Sequence, residues 1–122
     1  MGHERVTPAY TGGVTDARRR AVAQFATRVR RELGDTLADL RLFGSEARGD
    51  ASPDSDIDVL LIVRPDDARI AVQDRAIDIA FDVNLEHGVY ISPTVVAAGV
   101  LRHPVWRETG FVRNVVSESV PL

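Results

Sequence analysis

The chain has 122 residues, 44% of them hydrophobic, which is enough to bury one core and too little for a second substrate-binding domain. A formal net charge of −3 argues against an unaided grip on nucleic acid, and no apolar run reaches the ~20 residues of a membrane span. Cysteine and lysine are both absent, which excludes disulfides, thiolate chemistry and lysine Schiff bases and leaves arginine or a metal to face any phosphate.

Residues 1–13 contain Pro8 and the pair Gly12-Gly13 and have little periodicity, so a flexible N-terminal arm is expected there and a single domain over 14–122. The N-terminus lacks the basic-then-apolar layout of a signal peptide; with no cysteine, the expected location is cytoplasmic. Thr15 or Asp16 can cap a helix in which Val22, Phe25, Val29 and Leu33 recur at helical spacing, with Gly34 ending it. The arginines of this helix, Arg18-Arg19-Arg20 and Arg28, Arg30 and Arg31, read as a solvated face. A first strand is expected at about Asp39–Phe43 and a second at Ile57–Val63, with a short helical turn carrying Arg48 between them.

Pro65-Asp66-Asp67 stops the second strand and caps another helix, whose Ile70, Val72, Ile77, Phe81 and Leu85 imply one buried side before Gly88 ends it. The third strand falls at about Val89–Val96. A helix follows between Ala97 and Trp106, shortened by Pro104, and a last one is packed by Phe111, Val112, Val115 and Val116. This order predicts an α/β (α+β) domain with helices packed on a small mixed sheet. Trp106 reads more readily as an anchor for the C-terminal segment than as an interface centre. His3, His87 and His103 lack the spacing of a helical metal pair.

The densest chemistry lies in LFGSEARGDASPDSDIDVLLIV, from Leu42 to Val63. Gly44-Ser45 gives a sharp exit from the first strand, where backbone N–H groups and a hydroxyl can approach an anion closely. Alternate strand residues share a side, so Asp56 and Asp58 place two carboxylates together while Ile57 points into the core. Two adjacent carboxylates repel, and a hard cation with oxygen ligands relieves them. Mg²⁺ is commonly held by one or two carboxylates plus substrate phosphates. A Gly-Ser turn facing Asp-x-Asp therefore reads as a site for a metal-bound nucleoside triphosphate. Either piece alone would be an ordinary turn or an acidic loop; it is their order between two apolar strands that points to chemistry.

Gly44-Ser45, Arg48-Gly49, Ser55 and Asp56-Ile57-Asp58 resemble the signature of the DNA polymerase β-like nucleotidyltransferase superfamily, and more narrowly the minimal nucleotidyltransferases, many of which are encoded beside a HEPN-domain partner and some of which act as antitoxins that transfer AMP onto it. The resemblance implies a polymerase β-like fold, with Gly44 and Ser45 on the nucleotide phosphates, Asp56 and Asp58 as Mg²⁺ ligands and catalytic residues, and Arg48 and Ser55 as further nucleotide contacts. It also implies an NTP substrate, with ATP favoured, and a HEPN-type helical partner. Family members usually add a third carboxylate from the next strand, but VYISPTVV contains no acid. Ser92 and Thr94 are the polar residues there, and Asp82 and Glu86 precede it. Two readings follow: an Mg²⁺-dependent transferase that moves NMP, with AMP favoured, from an NTP to a hydroxyl of a protein or small-molecule acceptor, or a nucleotide-binding antitoxin-like subunit, weak or inactive in catalysis, that covers its partner. A homodimer is a further expectation, because a small sheet has edges to cover.

Overall fold

The computed structural model describes residues 16–122, with the backbone alone at Val115 and Val116; the expected N-terminal arm and His3 lie outside the described residues. Helix α1 (Asp16–Leu33) presents Ala21, Val22, Phe25 and Val29 to the core at i, i+3/i+4 and i+7 spacing. Gly34, in the left-handed region, ends it and leads into β1 (Leu37–Phe43). A five-residue helix, α2 (Gly44–Arg48), and a loop return the chain to β2 (Ile57–Val63).

Strand β2 is central because its residues bury both faces: Val59, Leu60, Leu61, Ile62 and Val63 are all buried. It pairs antiparallel with β1 and parallel with β3 (Ile91–Ala97), the crossover being α3 (Arg69–His87). The short helix α4 (Ala98–Arg102) stops before His103-Pro104, as the proline requires, and α5 (Gly110–Glu118) follows a single turn at Trp106–Glu108. A two-residue strand that the sequence gives no sign of, β4 (Val120–Pro121), closes against β1, so the sheet order is β3-β2-β1-β4.

The two sheet faces differ in depth. Phe25, Val29, Leu40, Leu42, Ile57, Val59, Leu61, Val63, Ile79 and Val83 form one continuous core beneath α1 and α3. On the other face the core reduces to Leu60, Ile62, Val96 and Ala98, with Phe43, Val100 and Leu101 against it. Pleating assigns Asp58, Ser92 and Thr94 to this thinner side, alongside Leu60 and Val96.

One expectation fails within α3. Of its residues assigned to the buried side only Val72 is inside; the helix packs through Val72, Ala76, Ile79, Ala80 and Val83. Ile70, Ile77, Phe81 and Leu85 are 66%, 49%, 61% and 72% exposed. The helix carries more apolar residues than one face can hold, and the small side chains of Ala76 and Ala80 let its backbone approach its neighbours, which the bulky stripe would prevent.

Candidate active site

The site begins where β1 turns into α2. Phe43 is extended, and Gly44 follows at φ +70°, in the left-handed region. Phe43 is the cross-strand partner of Asp58, so this turn lies against the Asp58 side chain. A Cβ at residue 44 would sit 2.5 Å from Asp58 Oδ2. Glycine is thus required twice, by its backbone angle and by the carboxylate over it. Gly44 and Ser45 also belong to the first turn of α2, where backbone N–H groups have no partner within the helix.

Asp56 stands exposed one residue ahead of β2, and Asp58 is half-buried inside it. Burial pushes the Asp58 carboxyl above its ordinary range and the neighbouring Asp56 charge pushes it further, while the Arg48 guanidinium pulls it down. The sequence thus brings together Gly44, Asp56, Asp58 and the charge of Arg48. Arg48 is held over the turn by Asp50 Oδ2, 3.4 Å from its Nε, and by Glu118 Oε1 of α5, 3.5 Å from its Nη1. Ser55 faces its own loop: its Oγ accepts from the Ser52 amide at 2.9 Å.

Two residues that the sequence does not mark as part of the site organise this loop. Arg18, expected on a solvated face, is 2% exposed, and so is Glu46 of α2. Arg18 Nη2 donates to Glu46 Oε1 at 2.6 Å and to the Ser55 carbonyl at 3.0 Å, while Nη1 donates to the Pro53 carbonyl at 3.0 Å. One guanidinium therefore ties α1 to both halves of the signature, the helix that opens with Gly44-Ser45 and the loop that delivers Asp56. Its phase was readable: Arg18 stands four residues before Val22, on the same stripe as Phe25 and Val29.

The strand that would supply a third carboxylate carries hydroxyls instead. Ser92 is the β3 partner of Asp58, and Thr94 the partner of Leu60. Thr94 joins Asp58, Phe43, Leu60 and Phe111 around a cavity of about 190 Å³, with the Phe43 and Phe111 ring centroids 6.3 Å apart. Phe111 is the residue of this cleft that the sequence reading left in the core; it is 43% exposed. Asp82 and Glu86 do not reach the cleft. Asp82 bonds Arg28 and Glu86 bonds Gln24, both on α1 and across the sheet from Asp58.

Among the described residues no group of three or more His, Cys, Asp or Glu is placed to hold a metal. The Asp56–Asp58 pair still fits Mg²⁺ arriving with a nucleotide, since phosphate oxygens complete such a coordination shell and the repulsion raising Asp58 is what a cation would relieve. His87 packs with Gln24 and Glu86, and His103 Nδ1 accepts from the Val105 amide, so neither histidine serves this site. Trp106 is 51% exposed and borders an apolar cavity of about 410 Å³ with Val100, Phe111 and Val112. No helix among the described residues is long and apolar enough to cross a membrane.

A family model described as a nucleotidyltransferase domain matches residues 22–118. Two chains of Methanocaldococcus jannaschii, each named "Putative protein adenylyltransferase", are similar in sequence. One is 34% identical over 74 residues, covering 61% of this chain and 74% of that one. The other is 30% identical over 100 residues, covering 81% and 91%. The crystal structure of a nucleotidyltransferase from Sulfolobus solfataricus, named as putative, has the same fold: TM-score 0.51, 20% identity, covering 91% of this chain and 89% of that one.

Proposed function

Because the chain belongs to the nucleotidyltransferase domain family, we propose that this nucleotidyltransferase moves AMP from ATP to a hydroxyl of a protein. The observation that carries the reading is the contact of Asp58 with Gly44, which leaves no room for a side chain between the carboxylate and the turn. The names of the two archaeal relatives support the adenylyl donor and the protein acceptor.

Gly44 and Ser45 hold the triphosphate at the start of α2, with Arg48 as the nearby cation and Ser55 shaping the loop beside it. Asp56 and Asp58 would hold Mg²⁺, which neutralises charge on the phosphates and the leaving pyrophosphate. Positioning is the main contribution of the chain: the acceptor oxygen attacks the α-phosphorus in line, an O–P bond forms, the bond to the β-phosphate oxygen breaks, and the hydroxyl proton passes to solvent. The Phe43–Phe111 cleft next to Asp58 sets two aromatic rings beside this approach.

Calorimetric titration of ATP, with and without Mg²⁺, tests the reading on the wild-type chain and on the Asp56→Ala, Asp58→Ala variant. Metal-dependent binding that the variant loses is expected; equal binding by both would remove the two aspartates from the site.

The absence of a third acid among the described residues favours one other reading, a subunit that keeps the nucleotide site but works by covering a HEPN-type helical partner. If the double variant still inhibits such a partner as well as the wild-type chain does, covering is the mechanism; if inhibition requires both aspartates and ATP, transfer is.

A further inference from the structure

We propose that the outward stripe of α3 is a docking surface for an amphipathic helix of another protein, one whose apolar face is bordered by basic residues. This inference is independent of the nucleotide reading. At 100° per residue, Ile70, Ile77, Phe81 and Leu85 fall within roughly 80° of one another and span ~22 Å of helix, away from the Val72–Ala76–Ile79–Val83 face in the core. An exposed apolar stripe of this kind marks an interaction site more often than scattered surface residues do.

The helix cannot roll to hide the stripe. On one flank Gln73 bonds the Pro93 carbonyl and the Val95 amide, and Asn84 bonds the Ile91 carbonyl and amide, so two side chains satisfy the outer edge of β3. On the other flank Arg28 bonds Asp82 and Arg75 bonds Glu32, fastening α3 to α1. Both rows fix the rotation, and the outward position of the stripe is built into the fold.

Charge selects the occupant. Asp74 lies within the stripe; Asp78, with its Oδ2 3.9 Å from Arg75 Nη1, is on its border, and Asp82, beyond, is paired with Arg28. A second copy pairing antiparallel through α3 would bring like flanks together and set these aspartates against themselves, a repulsion that opposes such a dimer. An anionic lipid surface would be repelled in the same way. A helix with arginine or lysine beside its apolar face meets the aspartates with opposite charge and covers the four side chains. Since α3 packs on the sheet face opposite Asp58, a protein held there leaves the Gly44–Asp58 cleft open.

The probe is a synthetic helical peptide of about 20 residues with a leucine stripe and arginine flanks, beside the same peptide with glutamate flanks. Fluorescence anisotropy is read on the full chain, on Ile77→Ser/Phe81→Ser and on Asp74→Arg/Asp78→Arg. The arginine peptide should bind the wild-type chain with amide shifts confined to α3. The serine variant should weaken it by about tenfold or more, and the charge reversal should exchange the preference toward the glutamate peptide. The reversal leaves the apolar stripe intact, so it decides the matter even if the serine variant folds poorly. Binding unchanged in both variants would overturn the proposal. So would a wild-type dimer in sedimentation, or attachment to phosphatidylglycerol vesicles, that the serine variant loses; these would assign the stripe to a second copy or to lipid.

Discussion

The two faces of the sheet divide the work of a single strand. Ile57, Val59, Leu61 and Val63 of β2 point into a deep core under two long helices, whereas Asp58, Leu60 and Ile62 point to a face that has only a small cluster over it. A carboxylate can stand half-buried at the end of that thin layer because the thick one holds its backbone in place. Chemistry and stability thus alternate residue by residue along β2, and the comparison predicts that substitutions one position apart fail in different ways.

The largest effect is expected at the turn the strand faces. Gly44→Val puts a branched side chain at a left-handed φ and against Asp58 Oδ2, so nucleotide binding should vanish while circular dichroism stays native. Retained Mg·ATP affinity in calorimetry would mean that the turn does not touch the phosphates.

Next comes the clamp behind the turn. Arg18→Met or Glu46→Ala removes one partner of a buried ion pair, at a cost of about 3–5 kcal/mol in denaturant unfolding. Arg18→Met with Glu46→Leu should recover most of that stability, because an apolar pair of similar volume fills the same space. Nucleotide affinity should nevertheless stay low in the double variant, since Pro53 and Ser55 have lost their donor and the Asp56 loop is no longer held. Full affinity in that variant would make the clamp a matter of stability alone.

The contrast between faces is sharpened by neighbouring leucines. Leu61→Ala opens a cavity in the deep core and should fall toward the upper end of the ~2–5 kcal/mol range, Leu60→Ala toward the lower, because the thinner layer can settle into the gap. Equal losses would erase the distinction.

The same alternation explains what could be read from the sequence. The bounds of β2 and the turn at Gly44 were legible, because an apolar run between turn residues has one plausible fold and left-handed turns need glycine; that Gly44 lies against the Asp58 carboxylate was not. Arg18 was misplaced because its charge spoke for solvent while its phase spoke for the core; the buried carboxylate of Glu46, 28 residues on, and the carbonyls of Pro53 and Ser55 reconcile them. The face of α3 was misread for the opposite reason, since Ile70, Ile77, Phe81 and Leu85 are left outside while Ala76 and Ala80 pack inside with Val72, Ile79 and Val83. Strand β4 rests on two residue pairs with β1, too few to leave a pattern. The hydroxyls of Ser92 and Thr94 were visible as residue types, but it took the parallel register of β3 to set them on the face of Asp58.

The smallest effect separates the cost of the site from its use. The carboxyl of Asp58 is raised in the folded chain, first by burial and then by Asp56, so the native state holds that proton more tightly than the unfolded one. A raised acid contributes stability below the ordinary carboxylate range and loses it as pH rises through the folded value. At neutral pH, without metal, the ionised Asp58 therefore works against folding. Asp58→Asn should raise the melting temperature slightly at pH 7, and the gain should shrink to nothing as the pH falls below the carboxylate range. With Mg·ATP the order should invert, because the wild-type chain gains stability by binding and the asparagine variant does not. A thermal scan at two pH values, with and without Mg·ATP, reads both halves. A variant less stable than wild type at pH 7 without metal would mean that the contact with Gly44 holds the turn together, and the site would then be a structural asset rather than a cost carried by the core beneath it.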